Sequence, residues 1–382
     1  MNLSLLRWFI SSATLSVPQA ATPVAFSLVA LSLIGEASGG AAMILAMTLA
    51  QVVGAIPITR LGRNHAAATF LKLLVAIRTL ALAALALCAY YQASFAWLIA
   101  FAALAGLVNG AAFGYLRSLL NHFTVPSRLP RALGIAATLN EVTFVLGPVV
   151  ASGLGAVSPV FALLAITVLG AIPVLLIPQA GHAHVEDVPH VEGSVLTPSI
   201  LLWLVCATAG GSTVAAIEIG AVALALKFGY EPTHAILFTV PLCVASVAGG
   251  LWVSVKNRMA SRKAVMVYLS VMTFGAALAA LGPSLATTVI GAVLIGLVLA
   301  PLGTYYSLIL DQLAPPQKRP EVFALLRTAN AVGIIFASAI LTAVSLSSAL
   351  IVVTCTMLAV TLLVGFVPTG FAGTTSFGNR IR

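Results

Sequence analysis

Two carboxylates, Glu141 and Glu218, stand inside long apolar stretches of this 382-residue sequence. An ionisable side chain in an apolar environment is costly and usually functional. Burial there favours the neutral acid, so each residue could bind a proton at one stage of a cycle and release it at another. The alternative for each is a structural hydrogen bond or ion pair between neighbouring segments. We therefore take Glu218 first and Glu141 second as candidate proton carriers.

Uncharged polar side chains also interrupt the apolar stretches and could supply hydrogen bonds to a small ligand. Together with Glu218 they form the candidate substrate-binding set: Gln19, Asn109, Asn140, Tyr305, Tyr306 and Asn330. Pro18 and Pro23 flank Gln19, which predicts a broken first helix with polar backbone available to a ligand. Arg78 is predicted to form an ion pair or to snorkel. Arg327 is predicted to act as a gate or to contact the opposite half of the protein.

The elements that position these residues are membrane-spanning helices. The sequence is 61% hydrophobic and 7% charged, whereas soluble domains carry about a quarter charged residues. Apolar stretches of about 20 residues span the hydrocarbon core of a bilayer. Twelve such segments predict an all-α membrane protein. The predicted limits are 5–34, 39–59, 66–90, 94–116, 132–155, 158–178, 199–226, 235–255, 264–282, 284–310, 321–345 and 348–369.

Basic residues orient the twelve segments. If the N-terminus is cytoplasmic, fourteen of the 18 Lys and Arg residues fall in cytoplasmic loops or at the two ends, and one, Lys227, lies outside. This asymmetry follows the positive-inside rule and places both termini in the cytoplasm. The expected location is a plasma membrane, the inner membrane of a bacterium. The basic loops are expected to contact lipid headgroups, and no long basic run indicates a nucleic-acid partner.

The sequence contains an internal repeat. A shift of 190 residues places Tyr115, Pro126, Pro130 and Asn140 over Tyr305, Pro316, Pro320 and Asn330. Two six-helix halves in the same orientation form a parallel repeat. The predicted domains are an N-terminal bundle over 1–178, a cytoplasmic linker over 179–198, and a C-terminal bundle with a short tail over 199–382.

The architecture and a loop motif resemble the major facilitator superfamily. The stretch from Ala55 to Asn64 is similar to its helix 2–3 loop signature, G-x-x-x-D-R-x-G-R-K, in which Arg60, Gly62 and Arg63 match. Ala55 and Thr59 stand in place of Gly and Asp. In the family this loop is a cytoplasmic latch of the outward-facing state, so the resemblance implies a gating role for the three matching residues.

Helix 5 carries a second similar motif. Gly134, Thr143, Gly147-Pro148 and Ala151 resemble the efflux pattern G-x8-G-x3-G-P-x2-G, with Thr143 and Ala151 at glycine positions. The resemblance implies that Gly147 and Pro148 take part in gating and that the cargo moves outward in exchange for protons. In helix 4, Gly106 stands where exchangers of the drug type carry Arg.

The resemblance implies a secondary transporter that works by alternating access, with protons, the bilayer and a small organic compound as partners. A monomer is expected. No phosphate-binding loop, Ser/His/Asp set or H-E-x-x-H motif occurs, so we expect no enzyme activity and no cofactor. The alternatives are a sugar or metabolite carrier, including an uncoupled facilitator, and a non-transporting receptor on the same fold. The histidines at 182, 184 and 190 could bind a metal or belong to a solvated linker.

The charge asymmetry makes a topological prediction. In a variant without the four native cysteines, single cysteines at Ser127 and Ala260 should react with an impermeant thiol reagent only from the cytoplasmic side. A cysteine at Gly229 should react only from outside. Labelling in intact cells and in inverted vesicles measures both, and the reverse pattern would contradict the orientation.

Overall fold

The structure, a computed structural model, describes residues 2–36, 38–178 and 195–367. Twelve long helices make up most of these residues. All twelve are long and apolar enough to cross a membrane, which confirms the all-α prediction. In chain order, α1 to α12 are Leu3–Ile34, Ser38–Leu61, Ala67–Tyr90, Phe95–Phe123, Leu129–Val157, Pro159–Leu176, Pro198–Lys227, Ile236–Lys256, Arg262–Leu281, Leu285–Leu313, Arg319–Ala343 and Leu346–Phe366. Short 3-10 turns occupy Pro126–Arg128, Pro232–Ala235 and Pro316–Lys318.

Capping side chains explain where several helices begin. A side-chain oxygen of Asn2, Ser158, Thr197, Ser261, Ser284 or Ser345 accepts a hydrogen bond of 3.2–3.4 Å from a backbone N–H in the first turn that follows. Such caps satisfy N–H groups that have no partner within the helix. Ser158 is the single residue between α5 and α6, and its capping bond starts α6 directly after α5 ends.

The predicted break in α1 is wrong. The helix runs without interruption from Leu3 to Ile34 and contains both Pro18 and Pro23. Proline removes a backbone donor, but neighbouring helices can supply other donors within a membrane protein. Arg78 of α3 donates to the carbonyl of Leu15, three residues before Pro18, at 2.9 Å and so ties this part of α1 to α3.

α4 is longer than predicted. It continues to Phe123 instead of ending near 116. Its last turns carry polar residues, and Arg117 donates to Asn121, one turn later, at 3.0 Å. Pairs four residues apart support a helix independently of apolar burial, so hydropathy alone underestimates the length of this helix.

The internal repeat is visible in the element boundaries. A shift of 190 residues maps α4, Phe95–Phe123, onto α10, Leu285–Leu313. The same shift maps the 3-10 turn Pro126–Arg128 onto Pro316–Lys318. The predicted twofold repeat of six helices is therefore confirmed in the structure as well as in the sequence.

The described residues form two compact units. The first lies within Met1–Pro126, Leu139–Gly193 and Gln317–Thr328, so it contains the first part of α11 besides helices of the N-terminal half. Its apolar core takes buried side chains from α1, α2, α3, α4 and α6, such as Phe26, Met43, Leu85, Leu98 and Leu163.

The second unit lies within Ser127–Thr138, Ser194–Pro316 and Ala329–Arg382, so it contains the first part of α5 besides helices of the C-terminal half. Fully buried apolar side chains occur on five of its helices: Trp203, Phe238, Leu269, Ile295 and Met357. The predicted domain boundaries stay a prediction, because 179–194, the linker histidines and the tail from 368 lie outside the described residues.

Two glycines allow α2 and α4 to cross at backbone contact in the first unit. A Cβ atom on Gly106 would collide with the carbonyl oxygen of Met47, and one on Gly54 would collide with the carbonyl oxygen of Leu107. Small residues at such crossings let two helices approach closely. A side chain at position 106, such as the arginine of the drug-exchanger pattern, has no space at this crossing.

The second unit repeats this crossing between α8 and α10. A Cβ atom on Gly249 would meet the backbone of α10, and one on Gly296 would meet the backbone of α8. Gly296 lies 190 residues after Gly106. The two halves therefore share the packing of their central helix pair.

Gly106→Ala and Gly296→Ala should each destabilise the protein. The new methyl group must push two backbones apart, and overpacking of this kind costs about 1–3 kcal/mol. Gly303→Ala is the control, because Gly303 has open space on the same helix as Gly296, and alanine favours a helix interior by about 1 kcal/mol. The apparent melting temperature in detergent, read by fluorescence-detected gel filtration, measures all three. Equal melting temperatures would contradict the crossing geometry.

Candidate functional site

A connected set of polar side chains lies in the first unit, and we call it the amide network. It takes one residue from each of α1, α2, α3, α4 and α11: Gln19, Gln51, Arg78, Asn109 and Arg327. Asn109 is the centre: its Nδ2 donates to Gln51 Oε1 at 2.7 Å and to Gln19 Oε1 at 3.3 Å. Gln51 is only 2% exposed and Asn109 4%.

Arg78 anchors the amide network in the bundle interior. Its side chain is buried, and Nη1 donates to Asn109 Oδ1 at 3.0 Å and to the carbonyl of Leu15 at 2.9 Å. Nη2 donates to the carbonyl of Gly170 at 2.9 Å. No carboxylate pairs with this guanidinium among the described residues. The prediction that Arg78 snorkels or forms an ion pair is therefore wrong, because three oxygen acceptors from α1, α4 and α6 satisfy it inside the bundle.

Arg327 reaches the other end of the amide network. Its Nη2 donates to Gln19 Oε1, and its guanidinium carbon lies 4.2 Å from the centre of the Phe113 ring. A guanidinium over an aromatic face is stabilised by the ring quadrupole. Gln19, Asn109 and Arg327, all singled out from the sequence, are thus brought together, while the gating role predicted for Arg327 stays a prediction.

Arg60, Arg63 and Glu321 form a second polar cluster of the first unit, which we call the ionic clamp. Glu321 lies in the first turn of α11, and its side chain is 2% exposed. Arg60 Nε lies 3.3 Å from Glu321 Oε2, and Arg63 Nε lies 2.7 Å from Glu321 Oε1. A carboxylate from α11 therefore meets the arginines that follow α2.

Gly62 and Thr59 shape the ionic clamp without carrying charge. A Cβ atom on Gly62 would collide with the Phe70 ring and the Tyr115 hydroxyl. Thr59 is buried, and its Oγ1 donates to the carbonyl of Ala55 at 2.5 Å. The matching residues Arg60, Gly62 and Arg63 thus lie at one contact with α11, while their gating role stays a prediction.

The second unit has an uncharged counterpart, which we call the amide clamp. Asn257 follows α8, and its Oδ1 accepts from the backbone N–H of Arg131 at 3.0 Å. Its Nδ2 donates to the carbonyl of Ser127 at 2.9 Å. Asn257 has φ 45°, a left-handed conformation that asparagine tolerates better than most residues. A single amide therefore holds the start of α5.

The predicted helix 5 residues lie along one contact with α1 in the first unit. Asn140 Oδ1 accepts from Ser16 Oγ at 3.0 Å. A Cβ atom on Gly147 would lie 3.1 Å from the Cβ of Ala20. Pro148 lies inside α5, and Glu141 is half-buried next to Asn140. Close packing on α1 is thus what this part of the motif provides.

The remaining candidates belong to the second unit. The ring centres of Tyr305 and Tyr306 lie 5.1 and 6.1 Å from that of Trp203. The hydroxyls of both tyrosines and the indole nitrogen of Trp203 are buried without a hydrogen-bond partner in the described structure. The backbone of Asn330 packs against Gly211 of α7, and Glu218 lies two turns further along α7 with its side chain exposed.

Sequence reasoning missed Gln51 and Glu321 and underrated Arg78. Gln51 is the one amide side chain between Asn2 and Asn64 besides Gln19, and its place in an apolar helix was a usable signal. Glu321 stands in the first turn of α11, where a helix cap is the ordinary expectation for an acidic residue. Its partners lie about 260 residues away, so no local pattern could identify them.

A family model described as Major Facilitator Superfamily matches residues 6–338 of the chain. No curated protein matches the sequence. The fold is similar to that of solved transporters. A bacterial homologue of the iron transporter ferroportin, in an outward-facing state, has a TM-score of 0.79 at 14% identity over 95% of this chain and 98% of that chain.

Two further solved structures are similar over nearly their whole length. The human organic anion transporter MFSD10 has a TM-score of 0.71 at 14% identity over 95% of this chain and 98% of that chain. The proton:xylose symporter XylE has a TM-score of 0.70 at 11% identity over 96% of this chain and 94% of that chain. Identities this low establish the fold alone.

Proposed function

Because the chain belongs to the Major Facilitator Superfamily, we propose that it is a secondary active transporter that moves a small organic compound out of the cell in exchange for protons. The observation that carries this proposal is the amide network. Burying amide and guanidinium groups inside an apolar bundle costs free energy. Such groups within a membrane usually have a function. The solved transporters of similar fold include carriers of organic anions and of sugars.

Alternating access requires contacts that form in one state and break in another. The ionic clamp suits this role, since it ties the first turn of α11 to the turn between α2 and α3. Its two arginines are 55% and 41% exposed, so water can replace the pairing when the clamp opens. The amide clamp would do the same for the start of α5. In the proposed topology both clamps lie on the cytoplasmic side.

Proton coupling would depend on Glu218 and Glu141. Both lie within spanning helices, α7 and α5. A carboxylate that moves between a wet and a dry environment binds its proton in the dry one. We propose Glu218 as the main proton carrier and Glu141 as a secondary one. Glu141 follows Asn140, whose side chain bonds to α1, so a structural role competes there.

Outward transport rests on the helix 5 motif, in which Gly147 and Pro148 match. In this proposal, Gln19 of α1 binds and releases the substrate. The tight contact between Gly147 of α5 and α1 changes as it does so. Asn140, Tyr305, Tyr306 and Asn330 would complete the substrate path. The proposed setting is a plasma membrane, with both termini in the cytoplasm and the protein acting as a monomer.

Glu218→Gln should abolish gradient-driven accumulation while substrate-for-substrate exchange continues, because Gln copies the protonated acid but cannot release a proton. Glu141→Gln should have a smaller effect. Sealed proteoliposomes that receive labelled carboxylates, sugars and aromatic amines, with and without a pH gradient, measure both activities. Glu231→Gln is the control, since Glu231 is an exposed carboxylate before a 3-10 turn.

Full accumulation by Glu218→Gln would place the proton carrier elsewhere. If the wild type takes up a labelled compound at the same rate with and without a pH gradient, the result would favour an uncoupled sugar or metabolite carrier. A wild type that moves none of the labelled compounds would contradict transport and favour a receptor on the same fold.

Glu321→Gln should change transport kinetics while the protein stays folded and inserted. The variant keeps the shape of the ionic clamp but loses its charge. A rate change of up to about tenfold is expected, the effect of about 1.4 kcal/mol on the balance of states. Initial rates in the same proteoliposomes measure it. Arg128→Ala, an exposed arginine of a 3-10 turn, is the control, and equal rates for both variants would contradict a gating role.

A further inference from the structure

We infer that the amide network binds an organic anion, a compound with one carboxylate on an apolar body. The inference rests on the proposed function, because it names the class of cargo that the transporter would carry. It follows from three properties of the network: the direction of its hydrogen bonds, the groups that remain unpaired, and its charge.

The direction of every hydrogen bond in the amide network is set by its arginines. A guanidinium only donates, so Arg78 fixes the oxygen of Asn109 towards itself and turns the Asn109 amide nitrogen to the other side. That nitrogen donates to Gln19 and Gln51, which fixes their oxygens in turn. Arg327 donates to the same oxygen of Gln19. Each of the three amide oxygens therefore accepts at least one hydrogen bond within the network.

The groups of the amide network that lack any hydrogen-bond partner are donors. The amide nitrogen of Gln51 is buried and has no hydrogen-bond partner, and the same holds for Nε of Arg327. The amide nitrogen of Gln19 and Nη1 of Arg327 donate no hydrogen bond to any described residue. A buried donor without a partner is energetically costly, because it has lost its bond to water and gained none. A ligand that brings acceptors and no donors would remove this cost.

The charge of the amide network points the same way. It holds two guanidinium groups, and neither pairs with a carboxylate in the described part of the chain. Glu321, one and a half turns before Arg327 on α11, is occupied by the ionic clamp. An unpaired charge in an apolar bundle is costly, so a ligand with the opposite charge gains affinity there.

Only one of the two arginines has donors left over for a ligand carboxylate. Arg78 is buried and already bonds to Leu15, Asn109 and Gly170. Arg327 is half-buried and uses one nitrogen, so its fork can still bind a carboxylate through two parallel bonds. Phe113, directly against this guanidinium, supplies an apolar surface. The geometry therefore fits a single carboxylate attached to an apolar group.

Matched acid and amide pairs test this inference on the purified full-length protein. The probes are benzoate and benzamide, phenylacetate and phenylacetamide, and nicotinate and nicotinamide. The amides keep the size and the ring but lose the charge and add a donor. We expect one or more acids to raise the apparent melting temperature in detergent in a saturable way and their amides to leave it unchanged.

Arg327→Gln should weaken binding of the acid about ten- to hundredfold, the effect of losing a charged hydrogen-bonding partner. Arg327→Lys keeps the charge but loses the fork, so it should bind more weakly than the wild type and still prefer the acid. This second variant keeps the test valid if the first does not fold. Arg7→Gln is the matched control, an exposed arginine on the same helix as Gln19.

The inference is overturned if amides bind as well as acids, if no acid binds, or if Arg327→Gln binds the acid as the wild type does. Failure of transport is a separate result. A wild type that accumulates sugars or amines but no carboxylate keeps the proposed function and rejects the anion site. Acid binding without any transport in proteoliposomes keeps the anion site and rejects the transporter.

Discussion

The positive charge of Arg78 is the constraint on which the rest of the first unit depends. In an apolar bundle this charge must be satisfied from within, and the carbonyls of Leu15 and Gly170 and the amide of Asn109 do so. Each of these bonds fixes the position of a different helix. Because the guanidinium cannot accept a hydrogen bond, it also orders the amides beyond it. One cation thus determines both the packing of α1, α4 and α6 and the polarity of the candidate site.

The two halves keep the same scaffold and differ in their chemistry. Gly106 and Gly296 serve equivalent helix crossings, and the 3-10 turns before α5 and α11 are equivalent as well. The interior groups are not equivalent. The first unit has buried amides and guanidinium groups, whereas the second unit has Trp203 in edge-to-face and tilted contact with two tyrosines. The two halves therefore share backbone contacts and differ in the side chains of their interiors.

Most of the fold could be predicted from the sequence, because length and hydropathy determine which segments cross a bilayer. The twofold repeat could also be predicted, since the matching prolines and asparagines stand out in a sequence that is mostly apolar. The contacts of the site were less accessible. Two of the three partners of Arg78 are backbone carbonyls, which leave no mark on the sequence. Gln19 could be singled out, but the helix break inferred from its flanking prolines was wrong, because α1 continues through both prolines.

Glu321 illustrates a different limit. Its residue type suggested a helix end, and only the fold brings it to Arg60 and Arg63. The family acid at position 59 is replaced by threonine, yet a carboxylate still meets the arginines from another helix. A negative charge thus lies beside the two arginines, although the loop sequence itself no longer contains an acidic residue.

The contrast between the ionic clamp and the amide clamp has a consequence for the response of the protein to dissolved ions. Mobile ions screen charges that reach the solvent, and Arg60 and Arg63 both do so in part. The bonds of Asn257 to Ser127 and Arg131 join neutral groups, so screening leaves them unchanged. Rising ionic strength therefore loosens the hold on α11 and spares the hold on α5, which makes two equivalent positions of the repeat distinguishable by salt alone.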